Sequence, residues 1–187
     1  MKIRSTHLTL TSVAASVVLI AGSTAVAVPG NAHDGDGGTT LEVKSMLRDL
    51  RPSAVDPTDG ARSKLKMSID DDGEAEFRLA LLGIDPSAAG RRFGAHLHFG
   101  PCVAGDGAAA LGHYNIDVVA GVSPTRTSPD TEVWLDFTVT RWGTAEVETS
   151  VPFAPRAGIR SIVIHQDPTN DHTGAAGARL ACLPVAW

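Results

Sequence analysis

Hydrophobic and polar residues alternate along much of this chain with a period of two, the spacing of a strand that buries one face. Leu65, Met67 and Ile69 alternate with Lys64, Lys66 and Ser68, Asp70 to Gly73 supply turn residues, and Phe77, Leu79 and Leu81 alternate again. This arrangement predicts a β-hairpin. Val133, Leu135, Phe137 and Val139 predict another half-buried strand, Trp142-Gly143-Thr144 a turn, and residues 145–151 its return. Residues 161–165 and 179–183 complete the set, no segment shows a helical period, and Pro and Gly punctuate the intervals. The chain is therefore expected to be all-β, a Greek-key sandwich or flattened barrel of seven to eight antiparallel strands. Two connections, 114–131 and 166–178, are long for hairpins, and such loops usually carry function.

The N-terminal region breaks the pattern. Lys2 and Arg4 precede an apolar stretch from Val13 to Ala21 that is too short to span a bilayer, as in a secretory signal peptide. Residues 1–32 are assigned to it, with cleavage after Ala27 or Ala32; Ala21-Gly22-Ser23 stands at the end of the apolar stretch in place of a cysteine, which disfavours a lipid anchor. Residues 33–39, rich in Gly and Asp, read as a flexible leader, and residues 40–187 as one domain. The mature chain is expected to be secreted, into the extracellular or cell-envelope space, with no membrane anchor. Its net charge moves from −5 to −7, since 14 basic and 21 acidic residues remain without Lys2 and Arg4. That balance does not favour nucleic acid or an anionic membrane as a partner. In an oxidising compartment Cys102 and Cys182 are expected to pair, which on the chain-entropy model stabilises by about 4 to 5 kcal/mol. Two thiolate metal ligands are the weaker reading, because no C-x-x-C spacing is present.

The candidate chemistry lies in Phe93-Gly94-Ala95-His96-Leu97-His98-Phe99-Gly100, where a strand would put both imidazoles on one face and Ala95, Leu97 and Phe99 on the other. An H-x-H pair alone is a common surface accident. Here it is followed by Cys102, by His113 in Leu111-Gly112-His113-Tyr114-Asn115, by His165 at the end of Ile162-Val163-Ile164, and by Ala178-Arg179-Leu180-Ala181-Cys182. Singly, each histidine reads as a surface residue or a hydrogen-bonded core residue; together they read as a metal site. His33 and His172 fall outside the pattern and read as bystanders.

In these blocks, from about Leu81 to Cys182, the chain resembles the copper-zinc superoxide dismutase family, whose pattern is a G-F-H-V-H strand, a nearby cysteine, a later G-H, a V-I-H strand and a terminal G-R-L-A-C. The resemblance implies His96, His98, His113 and His165 as copper ligands, Arg179 as guide for the anionic substrate, and His113 as the ligand that also shuttles a proton. It implies conversion of superoxide to oxygen and hydrogen peroxide, with copper alternating between Cu(II) and Cu(I). The chain departs from the zinc-bearing members in residues 115–132, which contain no histidine. Carboxylates at Asp117, Asp130 and Glu132 with one shared imidazole make a poor zinc site, so zinc is not expected. The loop between His165 and Arg179 is also short for the family. Both departures resemble the copper-only branch, in which a carboxylate orients the would-be bridging histidine; Glu132 is the first candidate for that role and Asp130 the second. Two other readings stay open: a dismutase-like domain that stores or buffers copper without fast turnover, and a metal-free sandwich used for binding.

Overall fold

The computed structural model describes residues 38–187, so the expected signal peptide and His33 lie outside the described residues. The described chain is all-β. Its strands are β1 (Thr39–Met46), β2 (Arg48–Asp49), β3 (Arg62–Ile69), β4 (Ala75–Leu82), β5 (Arg92–Phe93) and β6 (Ala95–His98). After one short helix, α1 (Ile116–Ala120), follow β7 (Phe137–Thr138), β8 (Thr144–Val151), β9 (Ile159–His165) and β10 (Arg179–Ala186). They form two four-stranded antiparallel sheets, in the orders β1-β3-β4-β8 and β2-β10-β9-β6, with β5 and β7 as a separate pair. Ten strands therefore replace the seven to eight expected, the excess being two-residue pieces. Among the described residues no helix is long and apolar enough to cross a membrane.

The hairpin read from residues 65–81 is β3–β4, with Met67 opposite Phe77 and Leu65 opposite Leu79. Its turn is closed by Asp70, whose carboxylate accepts from the Glu74 N–H at 2.9 Å while Gly73 takes the positive φ of 82°. The period-two pattern resolves as predicted: Leu65, Met67, Phe77, Leu79 and Leu81 are each at most 1% exposed and pack into one core with Leu97, Leu135, Ile162, Ile164 and Leu183. The second sheet is buried on both faces around β9. Ile162 and Ile164 face the main core, whereas Val163 turns outward into a smaller cluster with Leu50, Ala110, Cys102 and Cys182. Cys102 and Cys182 form the expected disulfide, their Cα atoms 5.6 Å apart.

Two expectations need correction. The strand expected over residues 133–139 keeps its alternation, with Val133, Leu135, Phe137 and Val139 buried, yet only Phe137–Thr138 forms a ladder, with β5. Its first half runs beside β6 instead, through Leu135 N–H to Ala95 C=O (2.7 Å) and Leu97 N–H to Val133 C=O (3.2 Å). One segment serving two partners cannot make one continuous ladder. Helix α1 was not expected either. It is too short to show a period; its only signals are Asn115, whose side chain accepts from the Asp117 and Val118 N–H groups, and Gly121, which ends it at φ 71°.

Candidate metal centre

β6 pairs with β9 so that Ala95 faces Ile164 and Leu97 faces Ile162 on the core side, which leaves His96 beside Val163 and His98 beside Ser161 on the outer side. His165 lies two residues beyond Val163 on that same face, and Arg179 is its partner in β10. His113 enters from the loop after β6 by a bridge to His98. The sheet pleat thus brings three histidines together and one loop contributes the fourth. One nitrogen from each of His96, His98, His113 and His165 lies within 4.8 Å of every other. His96, His98 and His165 are buried; His113 is the most accessible of the four, with 18% of its side chain exposed.

Each ring uses one nitrogen for an oxygen at the edge of the cluster. His98 Nδ1 lies 3.1 Å from the Leu111 carbonyl, His165 Nδ1 3.4 Å from the Gly177 carbonyl, His113 Nδ1 2.8 Å from Glu132 Oε2, and His96 Nε2 2.7 Å from Thr169 Oγ1. A carbonyl only accepts, so Nδ1 of His98 and of His165 must carry the hydrogen. In the neutral rings both Nε2 atoms are then bare lone pairs, and they face each other at 3.3 Å. His96 Nδ1 is buried with no hydrogen-bond partner among the described residues. Facing acceptors and an orphaned buried nitrogen are costly unless a cation sits among them. Protons are poorly suited to the task. Burial, with the neighbouring histidines adding to it, pushes His96 far below its ordinary range and His98 down to about 2. Burial likewise lowers His165 to about 4, against a partial upward pull from the Gly177 carbonyl. Four neutral nitrogen donors converging in this way could hold a metal ion of the kind that imidazole suits.

Glu132 is the carboxylate that reaches His113. It is buried, and besides His113 it accepts from Trp134 Nε1 at 2.9 Å and Asn115 Nδ2 at 3.1 Å. Burial pushes Glu132 up, but the three donors outweigh it and hold the carboxyl below its usual range. Asp130 is exposed and the structure does not bring it to His113. Asp117 is buried but engaged, bound by both Arg126 Nε and Nη2 at 2.8 Å. Gly174 at φ 70° lays the loop before β10 against this assembly: a Cβ there would come within 2.7 Å of Thr127 and 3.7 Å of His113 Nδ1. The two long loops therefore meet over the His113–Glu132 pair.

Arg179, half-buried at the start of β10, donates from Nη1 to the Gly107 carbonyl and from Nη2 to the Leu111 carbonyl. The same Leu111 carbonyl accepts from His98, so the guanidinium stands one carbonyl away from the cluster. Arg48 donates to the Cys102 carbonyl at 2.7 Å and Gly100 N–H to Ala110 C=O at 2.8 Å, which with the disulfide ties residues 99–112 to β10. His172 is exposed and pairs with its neighbour Asp171, away from the four histidines. Sequence reading passed over Thr169, Asp136, Trp134 and Asn115. Their roles depend on contacts between distant segments, and only the Asn-x-Asp start of α1 left a local trace.

No protein-family model matches the chain, and no curated protein does. Solved structures do match. The clock protein EA4 aligns with a TM-score of 0.54 and 16% identity over 80% of this chain and 96% of that one. A double mutant of a SOD-like protein from Bacillus subtilis aligns with a TM-score of 0.52 and 18% identity, over 77% of this chain and 97% of that one. At such identities the likeness concerns the fold alone: this chain has a SOD-like β fold, with a cluster of four histidines on one sheet face.

Proposed function

We propose that this chain is an exported copper-only superoxide dismutase. The observation that carries the reading is the orientation of the four rings, with hydrogen-bearing nitrogens turned outward to Leu111, Gly177, Glu132 and Thr169 and bare nitrogens turned inward. His96 Nδ1 and Nε2 of His98, His113 and His165 would hold the metal. Copper, when bound, would supply the one-electron chemistry by which two superoxide ions and two protons become oxygen and hydrogen peroxide. The residues around it position, attract and move protons. Arg179 offers permanent positive charge beside the cluster in a chain of net charge −5, and its two observed hydrogen bonds leave further N–H donors for an anion. His113, the most accessible of the four, is placed to take and return a proton at Nε2 while Glu132 keeps the hydrogen on Nδ1.

That same contact argues against zinc. A second metal shared through His113 would need Nδ1, which is turned to Glu132, and the nearby Asp117 is committed to Arg126. The disulfide suits the exported location. Metal analysis of the purified mature chain, combined with a superoxide-decay assay, tests the reading. Copper near one per chain, no zinc and fast decay are expected. Copper with no decay beyond the background rate would make the domain a copper store, and absence of copper binding would overturn both.

A further inference from the structure

His96 alone among the four histidines turns its outer nitrogen to a side-chain hydroxyl, a group that can donate or accept. A hydroxyl carries one hydrogen, so its direction decides the tautomer of the ring beside it. Thr169 Oγ1 lies 2.7 Å from His96 Nε2 and 2.5 Å from Asp136 Oδ1. A carboxylate only accepts, so the hydroxyl hydrogen goes to Asp136 and the oxygen's lone pair is left for His96. Thr169 N–H also donates to the other carboxylate oxygen, Asp136 Oδ2, at 2.9 Å, and Arg92 stands 3.5 Å from that atom. Asp136 therefore grips Thr169 at two points. Thr169 is half-buried, and it and Asp136 line an open cavity of about 690 Å³ with Arg92, Trp134 and Asn170, so the two carboxylate contacts are what fix the direction of its hydroxyl.

We propose that Thr169 and Asp136 are positioning residues for His96: the carboxylate aims the hydroxyl hydrogen away from the ring, the ring keeps its hydrogen on Nε2, and Nδ1 stays bare toward the other three histidines. The proposal rests on the copper reading for its purpose. Its tautomer prediction is independent of metal binding and is tested without metal. The buried, unpartnered state of His96 Nδ1 is the counterpart of this arrangement. Arg92 and Asp136 come from β5 and from the residue before β7, and Thr169 from the loop after β9, so the relay ties the H-x-H strand to three separate segments.

Long-range 1H–15N spectra of the metal-free mature chain, labelled at histidine, read the tautomer directly. The wild type is expected to show His96 with an N–H-type Nε2 and a bare Nδ1; a hydrogen on Nδ1 overturns the proposal. Asp136→Asn can turn its amide toward Thr169 Oγ1 and release the hydroxyl hydrogen toward His96, so the population should move to the Nδ1–H form. Thr169→Val removes the acceptor, and Thr169→Ser restores it. Titration with Cu(II) should show affinity falling roughly tenfold to a hundredfold in Asp136→Asn and Thr169→Val, with recovery and a wild-type Cu(II) spectrum in Thr169→Ser. Unchanged tautomer and copper affinity in both of the first two variants would overturn it. The wild-type spectrum decides the tautomer even where Thr169→Val fails to fold. A wild type that binds no copper would sink the proposed function while leaving the tautomer result to stand or fall by itself.

Discussion

Three donors converge on the Glu132 carboxylate: His113 Nδ1 and Trp134 Nε1 on Oε2, and Asn115 Nδ2 on Oε1. A glutamine in this place must point its own NH2 at one of these donors. Glu132→Gln is therefore expected to weaken copper binding roughly tenfold to a hundredfold and to alter the Cu(II) spectrum, measured by competition with a chelator and by electron paramagnetic resonance. On the proposed reading His165→Ala removes one of four ligands, which no other histidine among the described residues replaces, and tight copper binding should disappear. A full complement of copper in that variant, with the wild-type spectrum, would refute the ligand set. Arg179→Ala should leave copper content unchanged and slow superoxide decay. The wild type should also lose more activity than the variant as salt is raised, because steering by a solvent-accessible charge is screened beyond about 10 Å at 0.1 M ionic strength. These residues share one logic: each acts through the atom it offers, and each variant removes or inverts that atom.

At the scale of elements, the loop between β9 and β10 is pressed against the start of the H-x-H strand. Gly94 N–H donates to the Asp167 carbonyl at 2.8 Å, and a Cβ on Gly94 would come within 2.7 Å of Ala176 Cβ, 2.9 Å of the Asp167 carbonyl and 3.0 Å of Thr169 Oγ1. Gly94→Ala should therefore lift the loop, lower stability by about 1–3 kcal/mol as an overpacking change, and weaken copper binding by displacing Thr169. Thermal melting together with copper titration checks it; wild-type values for both would show that the loop is not held as described. The strands themselves were legible. Alternation identified the β3–β4 hairpin and the inward face of residues 133–139, because one side of each strand contacts only core. Which neighbour residues 133–139 would pair with was not legible, since one pattern of buried positions serves β5 and β6 equally.

For the whole molecule, burial of neutral histidines makes stability depend on pH. An unfolded imidazole titrates near 6.5, whereas in the fold His98 titrates at about 2, His165 at about 4, and His96 is pushed down as well. The unfolded chain thus binds more protons as the pH falls below about 6.5, and the metal-free fold loses stability in that direction. Each of the three rings contributes up to about 1.4 kcal/mol per pH unit; the loss runs from about 6.5 down to about 4 for His165 and further for the others. Denaturant melts of the metal-free chain at pH 7.5 and 5 check the sign, and equal or greater stability at pH 5 would contradict it. Reduction of the Cys102–Cys182 disulfide frees a loop of 80 residues and is expected to cost roughly 4 to 5 kcal/mol, read from the shift of the same melts with and without reductant.

By itself the sequence determined the all-β class, the pairing of its two cysteines and the set of histidines to examine, because each is written in local period, in parity or in order along the chain. His96 and His98 share a face by strand geometry alone. Tertiary structure decided everything that depends on contact between distant segments. The register of β6 on β9 sets His96 and His98 on the face of His165, and the bridge to His98 brings in His113. Between Glu132 and Asp130, two carboxylates two residues apart in one loop, the fold chose the one that points inward. Thr169 and Asp136, 33 residues apart, form a pair only because the loop after β9 closes over the segment leading into β7. Hydrogen-bond direction is a property of three-dimensional partners, and no period along a chain encodes it.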